Sequence, residues 1–179
     1  MARCLIALLL VAGSSVAHAD CFDRAAARFK LNPDLLRAIA EYESNNREDA
    51  VGPLLADGNR ALGKMQVNTV HLPELAKYRV TRDDLMTTCG SVFTGAWILA
   101  GYVRLVGYTW KAVGIYNTGP ASKNRAAQDR YIAGVRRRFE RIQRDRAPAA
   151  QQPGTQRALA SASQQLVQVA GNMTVWRSE

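Results

Sequence analysis

Histidine and cysteine are scarce in this chain of 179 residues, which holds two of the first and three of the second. His18 and Cys4 both fall in the opening "MARCLIALLLVAGSSVAHAD", with a basic start at Arg3, an apolar run from Leu5 to Ala12 and a small-x-small site at Ala17-His18-Ala19. We read residues 1–19 as a signal peptide cleaved before Asp20, since the apolar run is too short to span a bilayer. The two cysteines and one histidine that remain do not make a zinc ligand set, so neither metal nor cofactor is expected. Alternating apolar and polar runs are few and internal repeats are absent, so little asks to be a strand.

Cys21 and Cys89 form an even pair in a chain bound for an oxidising compartment, and we expect them to be joined. Such a bridge would contribute roughly 4 kcal/mol in the chain-entropy description. Acidic residues are also in the minority, 15 against 24 Lys and Arg, for a formal net charge of +9, which falls to +8 when Arg3 leaves with the signal peptide. An exported basic protein is drawn to polyanions: wall polymers, anionic lipid surfaces or nucleic acid. The densest block, "RYIAGVRRRFERIQRDR", spaces Tyr131, Ile132, Val135, Phe139 and Ile142 as a helix does. It reads as an amphipathic helix with a solvated basic face, and nucleic acid is not expected as a partner.

Helical patterns run through Phe22 to Phe29, Pro33 to Ser44, Val67 to Leu75, Ser91 to Gly107 and Gln128 to Arg144. Between Ser44 and Gly63, Gly52-Pro53 and Asp57-Gly58-Asn59 mark turns or a short hairpin-like loop. Beyond Arg146 the composition shifts to Ala, Gln, Ser and Pro, as expected of a flexible tail over 147–179.

In "LLRAIAEYESNN" one glutamate is out of place. Leu35, Leu36, Ile39 and Tyr42 form an apolar stripe, and on a helical wheel Glu43 falls between Leu36 and Ile39, inside it. Glu41 falls on the opposite side, one turn after Arg37, where the two can pair at the surface. Asn32, Pro33 and Asp34 mark the helix start as cap, first residue and dipole partner. A carboxyl inside an apolar stripe either snorkels to water or is desolvated enough to hold a proton near neutrality, as a general acid requires.

Three short elements accompany Glu43-Ser44: Gly63-Lys64-Met65-Gln66-Val67-Asn68, then Tyr116-Asn117-Thr118-Gly119, and later Tyr131. Singly each reads as structure; Tyr116 to Gly119 reads as a helix C-terminus with Gly119 at the left-handed cap and Pro120 after it. In this order they resemble the lytic transglycosylase family, whose catalytic domain has a mainly α, goose-lysozyme-like fold. The pattern there is Glu-Ser at a helix end, Gly-x-Met-Gln-x-Asn, Tyr-Asn-x-Gly, and a late Tyr. The cysteine positions, "CFDRAAARFKLNPDLLRAIAEYES" and "TWKAVGIYNTGP" look like the small single-domain members that accompany type III and type IV secretion, conjugation or pilus machines.

The resemblance covers about Cys21 to Phe139 and implies one such domain over 20–146, acting as a periplasmic monomer on peptidoglycan glycan strands. It implies that Glu43 is the sole catalytic acid and base. Glu43 would protonate the oxygen between N-acetylmuramic acid and N-acetylglucosamine, then take the proton of the muramyl C6 hydroxyl as that attacks the anomeric carbon, giving a 1,6-anhydro sugar. Tyr116 would hydrogen-bond Glu43. Ser44, Gln66, Asn68 and Asn117 would face sugar hydroxyls and acetamido groups, Gly63 and Gly119 would let backbone approach the glycan, and Met65 would line the cleft wall, with Tyr131 the late tyrosine. Lys64 and the polar "NNRED" after Ser44 depart from the pattern. Two other readings stand beside this one. A hydrolytic lysozyme would want a second carboxylate, for which Glu48, Asp49 and Asp57 are the nearest supply. A non-catalytic wall-binding assembly factor would keep the cleft and dock a secretion machine.

Overall fold

The computed structural model describes residues 20–147; the expected signal peptide and, past Ala147, the expected tail lie outside the described residues. The first two helices begin as their capping residues dictate. Asp20 accepts from the Asp23 N–H at 3.0 Å and starts α1 (Cys21–Phe29). Asn32 accepts from the Asp34 and Leu35 N–H groups at 2.8 and 3.4 Å and starts α2 (Pro33–Ser44), with Pro33 in its first turn. Each such cap is worth about 1 kcal/mol. The far end of α2 is set by Asn45 and Asn46, both left-handed at φ 53° and 63°, a conformation asparagine tolerates better than other side chains.

The predicted stripe of α2 is buried at Leu35, Leu36 and Ile39, whereas Tyr42 lies at its edge, 37% exposed. Arg37 and Glu41 do not pair with each other. Arg37 reaches Asp20 and Asp23 of the α1 segment, each at 2.8 Å, and Asp34 at 3.2 Å, while Glu41 meets Arg138 and Arg141. Neighbouring helices flank α2 on two sides and draw the two charges apart.

Between α2 and the long central helix lies the motif loop. Ala61–Leu62 (β1) and Val67–Asn68 (β2) pair antiparallel, Ala61 opposite Asn68 and Leu62 opposite Val67. Val51 bridges to Leu62, and the Gly52 N–H donates to the Ala61 carbonyl at 2.8 Å, so the turns at Gly52-Pro53 and Asp57-Gly58-Asn59 close a hairpin-like loop as expected. The helix expected over Val67 to Leu75 is interrupted. Its first two residues are β2, Thr69–His71 is a 3-10 turn, and only α3 (Leu72–Leu75) is α-helical. Asn68 caps this turn by accepting from the Val70 N–H, and Pro73, which lacks a donor, sits in the first turn of α3 where none is needed.

After α4 (Arg82–Leu85), α5 (Thr88–Val106) crosses the molecule; its buried residues include Ser91, Val92, Thr94, Gly95, Ala96, Ile98, Leu99 and Ala100. Burial around so much of its surface makes it the core helix. The Cys21–Cys89 disulfide, its Cα atoms 5.2 Å apart, ties the start of α1 to the start of α5, as export and cysteine parity predicted. Two further helices, α6 (Trp110–Thr118) and α7 (Arg125–Arg146), close the bundle, with α7 packed on both α6 and α2. The basic face of α7 is not simply solvated. Arg138 and Arg141 meet Glu41, and Arg146 reaches Asp34 at 2.9 Å, so part of that face is an ion-pair seam with α2.

Candidate active site

Glu43 occupies the last turn of α2, partly buried beneath α7. Burial pushes its carboxyl up from 4.5 to about 7, and a hydrogen bond from the Tyr131 hydroxyl to Oε1, at 2.5 Å, works in the opposite direction. Desolvation outweighs that bond, so near neutrality the group divides between acid and carboxylate. Tyr131 is 2% exposed and packs edge-on against Tyr42 with ring centroids 4.8 Å apart. Tyr42 in turn rests on Gly134, where any Cβ would come within 2.0 Å of its ring. Glu43, Tyr131, Tyr42 and Gly134 therefore form one packed train between α2 and α7.

The expected bond from Tyr116 to Glu43 is not made. The Tyr116 hydroxyl donates instead to the Met65 carbonyl at 2.9 Å, and Tyr131 holds the carboxyl. Which tyrosine reaches Glu43 depends on how α6 and α7 dock, which spacing along the chain does not reveal. Both hydroxyls are pushed well above 10, by burial first and by the neighbouring Glu43 charge second, so both remain donors.

The Gly63–Asn68 loop is built from behind by residues expected to face sugar. Gly63 has φ +70°, and a Cβ there would stand 1.8 Å from the Leu85 carbonyl oxygen, so its backbone approaches α4 and not a glycan. Ser44 is buried, its hydroxyl donating to the Lys64 carbonyl at 2.8 Å, which straps the end of α2 to the loop. Met65 does not line a cleft wall: it is 0% exposed, its N–H donates to Ser91 Oγ at 2.9 Å, and its side chain lies over Gly95. Lys64 extends its ammonium to the Asn46 carbonyl, where a cation suits the negative end of α2. That position answers the departure from the family pattern, because the charge is spent on the helix end.

In front of this scaffold lies a cleft of about 230 Å³ lined by Glu43, Gln66, Asn68, Tyr116 and Asn117 from the motifs, together with Leu55, His71, Val67 and Ile98. Gln66, at φ 47°, commits its amide N–H groups to the Ala50 and Gly63 carbonyls, leaving its oxygen for the cleft. Asn68 uses its oxygen on the Val70 N–H and keeps its amide donors. Gly119 ends α6 at φ 78°, ψ 160°, outside the left-handed cap region expected of it and in one essentially restricted to glycine. Open space surrounds the place of its missing Cβ.

Leu55 and His71 were not anticipated. Leu55 sits in a turn-rich loop where apolar residues carry no period, and His71 had only its rarity to single it out. Burial lowers the His71 pKa, with Glu74 opposing, which keeps the ring neutral at neutral pH. Among the described residues Glu43 is the sole carboxylate on the cleft lining; Glu48 receives the Thr88 hydroxyl and Asp57 the Asn59 N–H, both elsewhere. Among the described residues no three of His, Cys, Asp and Glu gather as metal ligands. A larger depression of about 500 Å³, between Lys30, Tyr108, Trp110 and Phe139, shares no residue with the cleft and has no carboxylate, so the chemistry singles out the smaller site.

A lysozyme-like helical domain with one desolvated carboxyl in a cleft of neutral polar groups is the class that these features define. Residues 20–138 match the transglycosylase SLT domain, and the chain belongs to that family. It is 38% identical over 148 residues to the X polypeptide of Escherichia coli strain K12, covering 79% of this chain and 86% of that one. Invasion protein IagB of Salmonella typhimurium strain SL1344 is 35% identical over 129 residues, with 72% and 80% covered. A peptidoglycan-binding-like protein of Escherichia coli O157:H7 is 32% identical over 134 residues, with 71% and 80% covered. Membership carries a lytic-transglycosylase-family role, with peptidoglycan as substrate class.

Proposed function

We propose that the exported protein, freed of residues 1–19, is a periplasmic lytic transglycosylase that cleaves the β-1,4 bond between N-acetylmuramic acid and N-acetylglucosamine. The observation that carries this reading is the Glu43 carboxyl, raised to about 7 by burial and gripped by Tyr131 in a cleft with no second carboxylate. Protonated Glu43 gives its proton to the bridging oxygen as the anomeric bond breaks. The carboxylate so formed takes the proton of the muramyl C6 hydroxyl while that oxygen bonds to the anomeric carbon. The 1,6-anhydro ring closes, water is not consumed, and Glu43 ends protonated as it began. Gln66, Asn68 and Asn117 offer neutral partners to the sugars, and neutral His71 adds another.

Hydrolysis is the second reading, and it needs a carboxylate either about 5 Å from the first or farther off to activate water. The cleft lining speaks against it, since none of Glu48, Asp49 and Asp57 is on it. A name such as "invasion protein" for one relative, with the likeness to secretion-associated members, supports a place beside an envelope-spanning machine for which the wall must be opened locally. The tail over 147–179 would tether the enzyme there.

Purified peptidoglycan incubated with the mature protein and with Glu43→Gln tests the reaction. Mass spectrometry should find muropeptides ending in 1,6-anhydro muramic acid for the first protein alone. Release of nothing by either would favour a docking role. A chain ending at Arg146 should keep activity on purified wall while weakening assembly of the machine in cells, and loss of both would count against a tether.

A further inference from the structure

The cations of α7 fall into two groups. In its C-terminal half Arg138 and Arg141 face Glu41, Arg146 faces Asp34, and Arg136 lies over the Trp110 ring. At the opposite end Arg125 opens the helix, Lys123 precedes it, and Lys111 stands in the first turn of α6. These three line another cavity, of about 240 Å³, with Ile115, Ser122 and Gln128. Among the described residues none of the three enters an ion pair, and neither helix has an acid in its first turn. Asp129, the acid next along α7, is not on the cavity lining and pairs with none of them.

Cations at the start of a helix oppose its dipole, so this placement works against the stability of α6 and α7. It also concentrates positive potential in a concave site, where an anion would be drawn. The wall behind it is firm: Gln128 is 6% exposed, and its amide donates to the Thr118 hydroxyl at 2.9 Å. The cavity and the cleft share no lining residue but are lined from the same stretch of chain. Pro120 lines the one and Asn117 the other, and three residues cannot span more than about 11 Å. Ile115 and Tyr116, neighbours in α6, likewise divide between the two.

We propose that Lys111, Lys123 and Arg125 form a subsite for a carboxylate of the peptide that branches from the glycan strand. It rests on the functional reading above, since a strand lying along Asn117 carries that peptide past this cavity. The subsite makes the enzyme prefer peptide-bearing strands to bare glycan.

Binding of labelled glycan strands, with peptides intact or removed by an amidase, tests this with the mature Glu43→Gln protein and with the same protein carrying Lys111→Gln, Lys123→Gln and Arg125→Gln. Binding does not depend on turnover, and circular dichroism reports that each protein is folded. The first protein should hold peptide-bearing strands roughly tenfold more tightly than bare ones, the effect of two or three exposed charge pairs together. The triple variant should bind both alike, and high salt should erase the difference. Equal binding of both strands by the first protein, or a preference that survives the triple change, would overturn the subsite and leave the functional reading standing. A preference erased by inorganic phosphate but not by acetate at matched ionic strength would make the site one for phosphate and overturn the peptide as its ligand. Failure of the folded protein to hold either strand would overturn the functional reading and the subsite with it.

Discussion

In the proposed reaction Glu43 sets the pH dependence. Its carboxyl, about 7 in the fold against 4.5 ordinarily, must be protonated to start the proposed reaction, so kcat/KM should fall about tenfold per pH unit above pH 7. A pH–rate profile on soluble glycan checks this, and a fall beginning near 4.5 would mean an unperturbed acid. Stability follows the same sign. The raised value means that the fold binds this proton more tightly than the unfolded chain does. The resulting stabilisation is complete below about 4.5 and is lost as pH rises through about 7. Urea unfolding of Glu43→Gln should therefore show it gaining about 3 kcal/mol on the wild type between pH 4 and pH 9. Tyr131→Phe removes the one bond that favours the carboxylate, so the fall of activity should move to higher pH, with kcat lower because the carboxyl loses its fixed orientation. Unchanged profiles would mean that Tyr131 only fills space.

The pairing of α2 with α7 holds that orientation, and its tightest point is Gly134. A methyl there would meet the Tyr42 ring at 2.0 Å, and Tyr42 backs Tyr131. Gly134→Ala should cost about 1–3 kcal/mol by overpacking, read from urea unfolding, and should lower kcat with KM little changed. Helix α2 was legible to the residue because Asn32-Pro33 opens it, Asn45 closes it, and Leu35, Leu36 and Ile39 give it a period. The misplaced glutamate was legible for the same reason, since a polar group inside a clear stripe stands out. Strands β1 and β2 were not, because two residues carry no period, and Val67 continued the apolar recurrence of the turn that follows. α6 showed its end at Gly119 but not its start, where Thr109 makes no side-chain cap. Motif order gave the right neighbourhood for Ser44, Gly63 and Met65. Their work behind the cleft arises from contacts with Lys64, Leu85 and Ser91, distant in sequence.

For the whole molecule, the Cys21–Cys89 bridge joins the two helices on which the bundle is assembled, closing a loop across a separation of 68 residues. Reduction should lower stability by about 4 kcal/mol in the chain-entropy description, read as a shift of the urea midpoint with and without reductant. Glu43 is carried by α2 and held by Tyr131 of α7, neither of which the bridge joins, so residual activity at low temperature should survive reduction. At this scale the proposed reaction needs one carboxyl and is distinguished from hydrolysis by whether water enters the product. The most direct measurement is a digest of purified peptidoglycan by the mature protein in H₂¹⁸O, with the released ends examined by mass spectrometry. Glu43 acting alone as acid and base predicts 1,6-anhydro ends free of ¹⁸O and absent with Glu43→Gln. Reducing ends carrying ¹⁸O would contradict it and require a carboxylate or other base that activates water.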